Sequence, residues 1–169
     1  MNFNTVLFCS GRHLDMLKYE FEFKINKRGV KSIEVINKIA PSEQQARRFT
    51  EPGHDRPIYM LNLLKFKEKA EYEDARATSL SGAEAYAIYG KEVAGHLAKV
   101  GGAPAFSAGV ESLRVGEVEE LWDMVAIAEY PSRAAMLAMV QSPDYQAIEV
   151  HRMAGLAGQL NIRTKVMGG

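Results

Sequence analysis

Apolar and polar positions change rhythm along the chain, and from Pro57 onward each change marks an element. Ile58–Phe66 (IYMLNLLKF) is short, rich in aromatic and branched residues, and follows a proline; it reads as a strand. Glu68–Ser81 is polar and reads as a long loop. Ser81–Val100 repeats apolar residues at three and four positions, opens with the capping box Ser81-Gly-Ala-Glu84 and stops at Gly101-Gly102, which predicts a helix. Pro104–Val115 reads as a second strand, Gly116–Glu120 as a charged turn, and Leu121–Tyr130 (LWDMVAIAEY) as a third strand. Pro131-Ser132 introduces a helix over Arg133–Gln141; Ser142-Pro143 interrupts it, and Asp144–Leu156 is again helical. Gln159–Val166 alternates and reads as the fourth strand. The order β-α-β-β-α-β predicts an α+β, ferredoxin-like fold with an antiparallel sheet.

Side chains on a strand alternate between faces. In the first strand one face is Ile58, Met60, Asn62, Leu64 and Phe66, and the other is Tyr59, Leu61, Leu63 and Lys65. In the third, Trp122, Met124, Ala126, Ala128 and Tyr130 oppose Asp123, Val125, Ile127 and Glu129. Both faces are largely apolar, whereas a sheet covered by helices on one side shows water a polar second face. Two helices cover only one face of so small a sheet. A second copy of the same sheet is the simplest cover for the other, so a homodimer through the sheet face is expected.

The N-terminal third is less periodic. Leu17–Ile25 alternates and reads as a short strand, Asn26–Gly29 as a turn, and Pro41–Phe49 as a short helix with Pro in its first turn. The expected division is an accessory or poorly ordered extension over 1–40, then a domain over 41–169. That domain has a lead helix at 41–51 and its core at 57–166.

Composition narrows the function classes. The chain has 169 residues, 21 Lys+Arg against 21 Asp+Glu, and a formal net charge of zero, which argues against nucleic-acid binding through a broad basic surface. Charge is uneven along the chain: residues 1–56 carry an excess of three positive charges and residues 57–169 an excess of three negative ones. The lone Cys9 excludes a disulfide framework and a multi-cysteine zinc site. No uncharged run exceeds eleven residues, against the ~20 that a membrane helix needs. The apolar stretch Val6–Cys9 is too short for a secretory core, so a cytoplasmic protein without a membrane partner is expected.

Several motifs together form a recognisable set: Pro57–Phe66, Gly82-Ala-Glu-Ala-Tyr86 with Tyr89-Gly90, Gly101-Gly102, Trp122-Asp123, Glu129-Tyr-Pro-Ser-Arg133, Ser142-Pro-Asp-Tyr145-Gln146 and His151-Arg152. The set resembles the family catalogued as domain of unknown function (DUF) 1330, of the dimeric α/β-barrel superfamily. The resemblance covers about residues 41–166. It implies the ferredoxin-like fold and a dimer, and it leaves the reaction open. Relatives of the same architecture include cofactor-free monooxygenases, isomerases and haem enzymes, and some only bind ligands. Function on such a fold resides in the pocket.

The candidate residues follow from their chemistry. Asn62 is the one polar residue on its strand face, able to bond a neighbouring backbone group or to orient a substrate carbonyl. Tyr86 and Tyr89 lie three apart on the first helix and so adjoin. His151 and Arg152 are consecutive on a helix and point about 100° apart, so one pocket does not receive both directly. His151 is the candidate general base, its reference pKa being near neutrality. Arg152, on the face of Tyr145 and Ile148, can hold a carboxylate or pair with Glu149. Glu129 can act as acid or base beside an apolar pocket, and Trp122 can pack against ligand or partner. The catalytic candidates are therefore His151, Asn62 and Glu129, and the substrate-binding ones Tyr86, Tyr89, Arg152 and Trp122. Gly101-Gly102 lacks the spacing and lysine of a phosphate loop, and no His pair at i, i+4 marks a metal. No metal or cofactor is expected. The two functional readings are a small carbonyl or aromatic compound undergoing proton abstraction, isomerisation or oxygenation, and a non-catalytic ligand-binding or structural dimer.

Overall fold

A computed structural model of the chain describes residues 35–51 and 56–165, all within the unit Glu34–Gly169. The strand expected at Leu17–Ile25 and the turn at Asn26–Gly29 lie outside the described residues.

Eight elements follow one another: α1 (Glu43–Thr50), β1 (Ile58–Phe66), α2 (Gly82–Lys99), β2 (Ala103–Gly109), β3 (Met124–Tyr130), α3 (Arg133–Val140), α4 (Pro143–Gly155) and β4 (Leu156–Thr164). The strands form one antiparallel sheet in the order β2-β3-β1-β4, the ferredoxin-like arrangement. Ser81 and Glu84 close a reciprocal capping box at the start of α2, as their spacing predicts. Ser42 and Gln45 do the same for α1, so Pro41 precedes the cap instead of occupying the first turn. Pro143 sits at the first position of α4, where its missing N–H is no loss.

Three strand boundaries differ from the sequence expectation. β2 ends at Gly109 and not Val115, and β3 starts at Met124 and not Leu121. The cause is Asp123. Its N–H donates to Leu64 O while its carboxylate accepts from Phe66 N–H at 2.7 Å and from Lys65 Nζ at 3.3 Å. A side chain there occupies the ladder's place, and the acidic connection 111–120 is left irregular. β4 begins at Leu156, directly from α4, because Leu156 is already extended (φ −89°, ψ 126°).

One sheet face carries the core. Ile58 and Met60 of β1 and Tyr130 of β3 pack against Tyr89 and Leu97 of α2, Met139 of α3, and Tyr145 and Ile148 of α4. Leu64 and Leu156 are completely buried. The helices α2 and α4 meet at Gly82 and Gly155. A Cβ on Gly155 would lie 2.4 Å from Gly82 O, and one on Gly82 would lie 2.5 Å from Gly155 O. Only glycine permits that approach. The loop after β1 clasps the same crossing: Lys67 N–H donates to Gly155 O and Glu71 N–H to Ala154 O. It is polar in sequence, yet it buries Ala70 and Tyr72 against Ala85 and Ala154 as a second small core.

The opposite face has no helix over it among the described residues. The registers Leu61↔Ile127↔Phe106, Leu61↔Ile162, Leu63↔Val125 and Leu63↔Leu160 put these seven side chains on one face. Phe106 and Ile162 are exposed and the others half-buried.

Candidate functional site

The helix-covered face gathers phenols. Tyr86 and Tyr89 come from successive turns of α2, with ring centroids 5.4 Å apart. Tyr145 comes from the first turn of α4 and meets Tyr89 edge-on at 6.1 Å, with their hydroxyls 3.2 Å apart. Tyr130 closes β3 in the same core. Phe66, at the end of β1, stacks obliquely on Tyr86 at 5.2 Å. Burial pushes the Tyr145 phenol up to about 12 and those of Tyr86, Tyr89 and Tyr130 higher still. These groups are neutral hydrogen-bonding groups at physiological pH and not bases. The charge of Arg152 opposes the shift in all four, and that of Glu149 adds to it for Tyr89 and Tyr145.

Arg152 reaches the phenols because it lies seven residues, two helical turns, after Tyr145. Its side chain is 12% exposed. Its partners among the described residues are Met153 Sδ at 3.5 Å and Glu149, whose Oε1 at 3.7 Å forms the ion pair that the sequence offered, without a hydrogen bond. A guanidinium has five N–H donors, and a buried charge is costly unless its donors are met.

The other candidates divide among four places. His151, about 100° round α4, turns to the loop after β1, where its Nδ1 and Tyr72 Oη are 2.7 Å apart. Beside it Tyr72, Glu73, Asp74, Arg76 and Val150 line a cleft of about 270 Å³, with the Arg76 guanidinium 4.6 Å over the Tyr72 ring. Asn62 lies on the helix-covered face, but the sheet takes up its amide. Nδ2 donates to Met60 O at 3.0 Å and to Ala126 O at 3.3 Å, and Oδ1 accepts from Asn161 at 2.7 Å. Glu129 pairs across strands with Tyr59 on the opposite face, and its carboxylate pushes the Tyr59 phenol up. Trp122 falls outside β3 and donates its indole N–H to Asn37 at 2.9 Å.

The structure thus brings together Tyr86, Tyr89 and Arg152 and leaves His151, Asn62, Glu129 and Trp122 apart from them. It adds Tyr130, Tyr145 and Glu149. Their signal was present in part: Tyr130 ends the face of Ala126 and Ala128, and Tyr145 shares a helix face with Arg152. Tyr72 had none, since it lies in a loop without periodicity. Among the described residues no group of three His, Cys, Asp or Glu side chains is placed to hold a metal, and no helix is long and apolar enough to cross a membrane.

Comparison with known proteins agrees with this architecture. Residues 75–165 match the family model described as domain of unknown function (DUF1330). The chain belongs to the DUF1330 family. A protein of unknown function from Rhodopseudomonas palustris is 34% identical, with TM-score 0.71, over 79% of this chain and 100% of that one. Its methylated form is 36% identical, also at TM-score 0.71, over 78% and 96% of the two chains. An uncharacterised NIPSNAP domain protein from Burkholderia xenovorans is 15% identical at TM-score 0.45, over 66% and 94%. No curated protein matches the chain. The DUF1330 match takes in α2, α4 and β3, and therefore Tyr86, Tyr89, Tyr130, Tyr145 and Arg152 of the cluster.

Proposed function

We propose that this DUF1330 protein is a small-molecule-binding homodimer whose ligand site lies between the sheet and helices α2 and α4. The observation that carries the reading is Arg152: a guanidinium 12% exposed on the face of α4 that carries Tyr145, with Glu149 at 3.7 Å as its one ion pair among the described residues. Evolution of a purely structural core would favour an apolar side chain of similar volume, because a buried charge costs several kcal/mol. Aromatic rings with a few convergent polar groups are the usual lining of a small-molecule site.

The homodimer rests on the other face. Leu61, Leu63, Leu160, Ile162, Val125, Ile127 and Phe106 form an apolar surface across all four strands, and a second copy of the sheet would match it in shape and twist.

Binding is a better-supported role than turnover. His151, the candidate base, is engaged with Tyr72, and the amide of Asn62 is engaged within the sheet. The test is tyrosine-ring NMR of the full chain with small aromatic probes, neutral and charged. The reading expects at least one to bind saturably and to shift the resonances of Tyr86, Tyr89, Tyr130 or Tyr145. Binding that moves only Tyr72 or Tyr59 would place the site elsewhere and contradict it.

A further inference from the structure

The uncovered sheet face differs at its two ends, and the difference bears on how a second copy lies on it. At the end where β1 begins, Arg56, Pro57, Tyr59, Glu129 and Lys165 line a cleft of about 350 Å³. Tyr59 and Glu129 are cross-strand partners on the uncovered face, so the cleft adjoins the apolar pair Leu61 and Ile127, two residues further along the strands. At the other end the connection between β2 and β3 leaves the sheet at Gly109 and returns at Met124, level with Leu64. That is five residues along β1 from Tyr59, or roughly 16 Å. Over 111–120 this connection carries four glutamates against one arginine. Its Leu113 and Val115 are 43% and 86% exposed. Glu120 pairs with Lys65 at 3.7 Å. Glu111, Glu117 and Glu119 have no ion pair among the described residues, and neither have Arg56 and Lys165 in the cleft. One end of the face thus offers unpaired acids with bare apolar side chains, and the other offers unpaired cations around an apolar hollow.

A two-fold axis between two identical, aligned sheets leaves two choices. With the axis along the strands, like ends meet and the two acidic connections face each other. With the axis across the strands, opposite ends meet and each connection reaches the basic cleft of the other copy. Like charges across an interface select against a docking and unlike charges favour it, so the second choice prevails. We infer that the two copies lie with their strands antiparallel, each β2–β3 connection seated on the other copy's cleft, its glutamates against Arg56 and Lys165 and its Val115 against Pro57 and Tyr59. The inference rests on the homodimer proposed above and goes beyond it: each copy supplies a wall of the other's cleft, which is incomplete in a single chain.

Cross-linking of the full chain with a short bis-maleimide tests the orientation, on a Cys9→Ser background. Val115→Cys combined with Arg56→Cys is expected to join two chains, read as a band of twice the chain mass on a denaturing gel, whereas Val115→Cys alone is not. Equal cross-linking of Val115→Cys alone shows like ends together and overturns the inference while the dimer stands. So does a failure of the paired variant to cross-link when its native mass is that of two chains. A native mass of one chain for the Cys9→Ser protein overturns the inference and the homodimer together. Charge exchange gives a second readout that needs no cysteine. Glu117→Lys with Glu119→Lys is expected to weaken dimerisation about tenfold, more at low salt, and adding Arg56→Glu and Lys165→Glu is expected to restore it. A four-fold substituted chain that dimerises no better than the first pair overturns the docking of the connection on the cleft.

Discussion

The two faces of this sheet are built from the same strands and from residues of similar hydropathy, yet they have different fates. On β1, Leu64 is fully buried under the helices while its neighbour Leu63 faces the opposite way and stays half-exposed. The helix-covered face has its own cover, which brings Tyr86, Tyr89, Tyr145 and Arg152 to the side of the sheet where Tyr130 ends β3. The other face has apolar residues across four strands and no helix over them among the described residues. The contrast teaches that a covered apolar face can accept the cost of polar chemistry, whereas an uncovered one calls for a partner.

The largest expected effect is alkaline. The phenols of Tyr86, Tyr89, Tyr130 and Tyr145 are raised above their ordinary value near 10, chiefly by burial. A group raised in the fold contributes stability that is present below its unfolded pKa and lost as pH rises through its folded one. Each phenol that is neutral folded and ionised unfolded then removes about 1.4 kcal/mol per pH unit above about 10. Stability is expected to be level from pH 7 to 9 and to fall steeply beyond 10, measured by urea denaturation at stepped pH. A gentle decline would mean that the phenols are solvated and the covered face is looser than described.

Leu64→Ala and Leu63→Ala set the faces against each other directly. The first should cost about 3 kcal/mol by leaving a cavity. The second should cost less, and its cost should depend on protein concentration if a second copy covers that face. Equal costs, both independent of concentration, would erase the distinction. Ile127→Glu puts a charge at the centre of the uncovered face, opposite Leu61 and beside Phe106. It is expected to weaken dimerisation by about 100-fold, near 2.7 kcal/mol, in sedimentation equilibrium, with the circular dichroism of the monomer unchanged. Asn62→Ala is the smallest. It removes hydrogen bonds to Met60 O and Ala126 O and one from Asn161, for a loss of about 1 kcal/mol. Unchanged probe binding assigns Asn62 to the sheet; loss of binding in a folded variant would return it to the site.

Much of the fold was legible in the sequence because local signals agreed with one another. Ser81 and Glu84 announce a helix start by capping chemistry alone, and Ile58–Phe66 is a strand to the residue. The ends of β2 and β3 were not legible, since Asp123 stops the ladder by bonding to Phe66 and Lys65, 57 and 58 residues away in sequence. The site was half legible. The 100° offset between His151 and Arg152 correctly separates their surroundings, one toward Tyr72 and one toward the phenols. Which of the two meets the aromatic cluster depends on the crossing of α2 and α4 at Gly82 and Gly155, a tertiary contact that no spacing reveals. Asn62 stood out as a lone polar residue for a sound reason, and its partner Asn161 lies on β4, 99 residues on.

Native mass spectrometry of the full chain, beside its Ile127→Glu variant, tests the two-faced account most directly. The account predicts the mass of two chains for the unsubstituted protein at micromolar concentration and the mass of one chain for the variant. A single-chain mass for both would contradict it, because the apolar face of Leu61, Ile127 and Phe106 would then need no second copy.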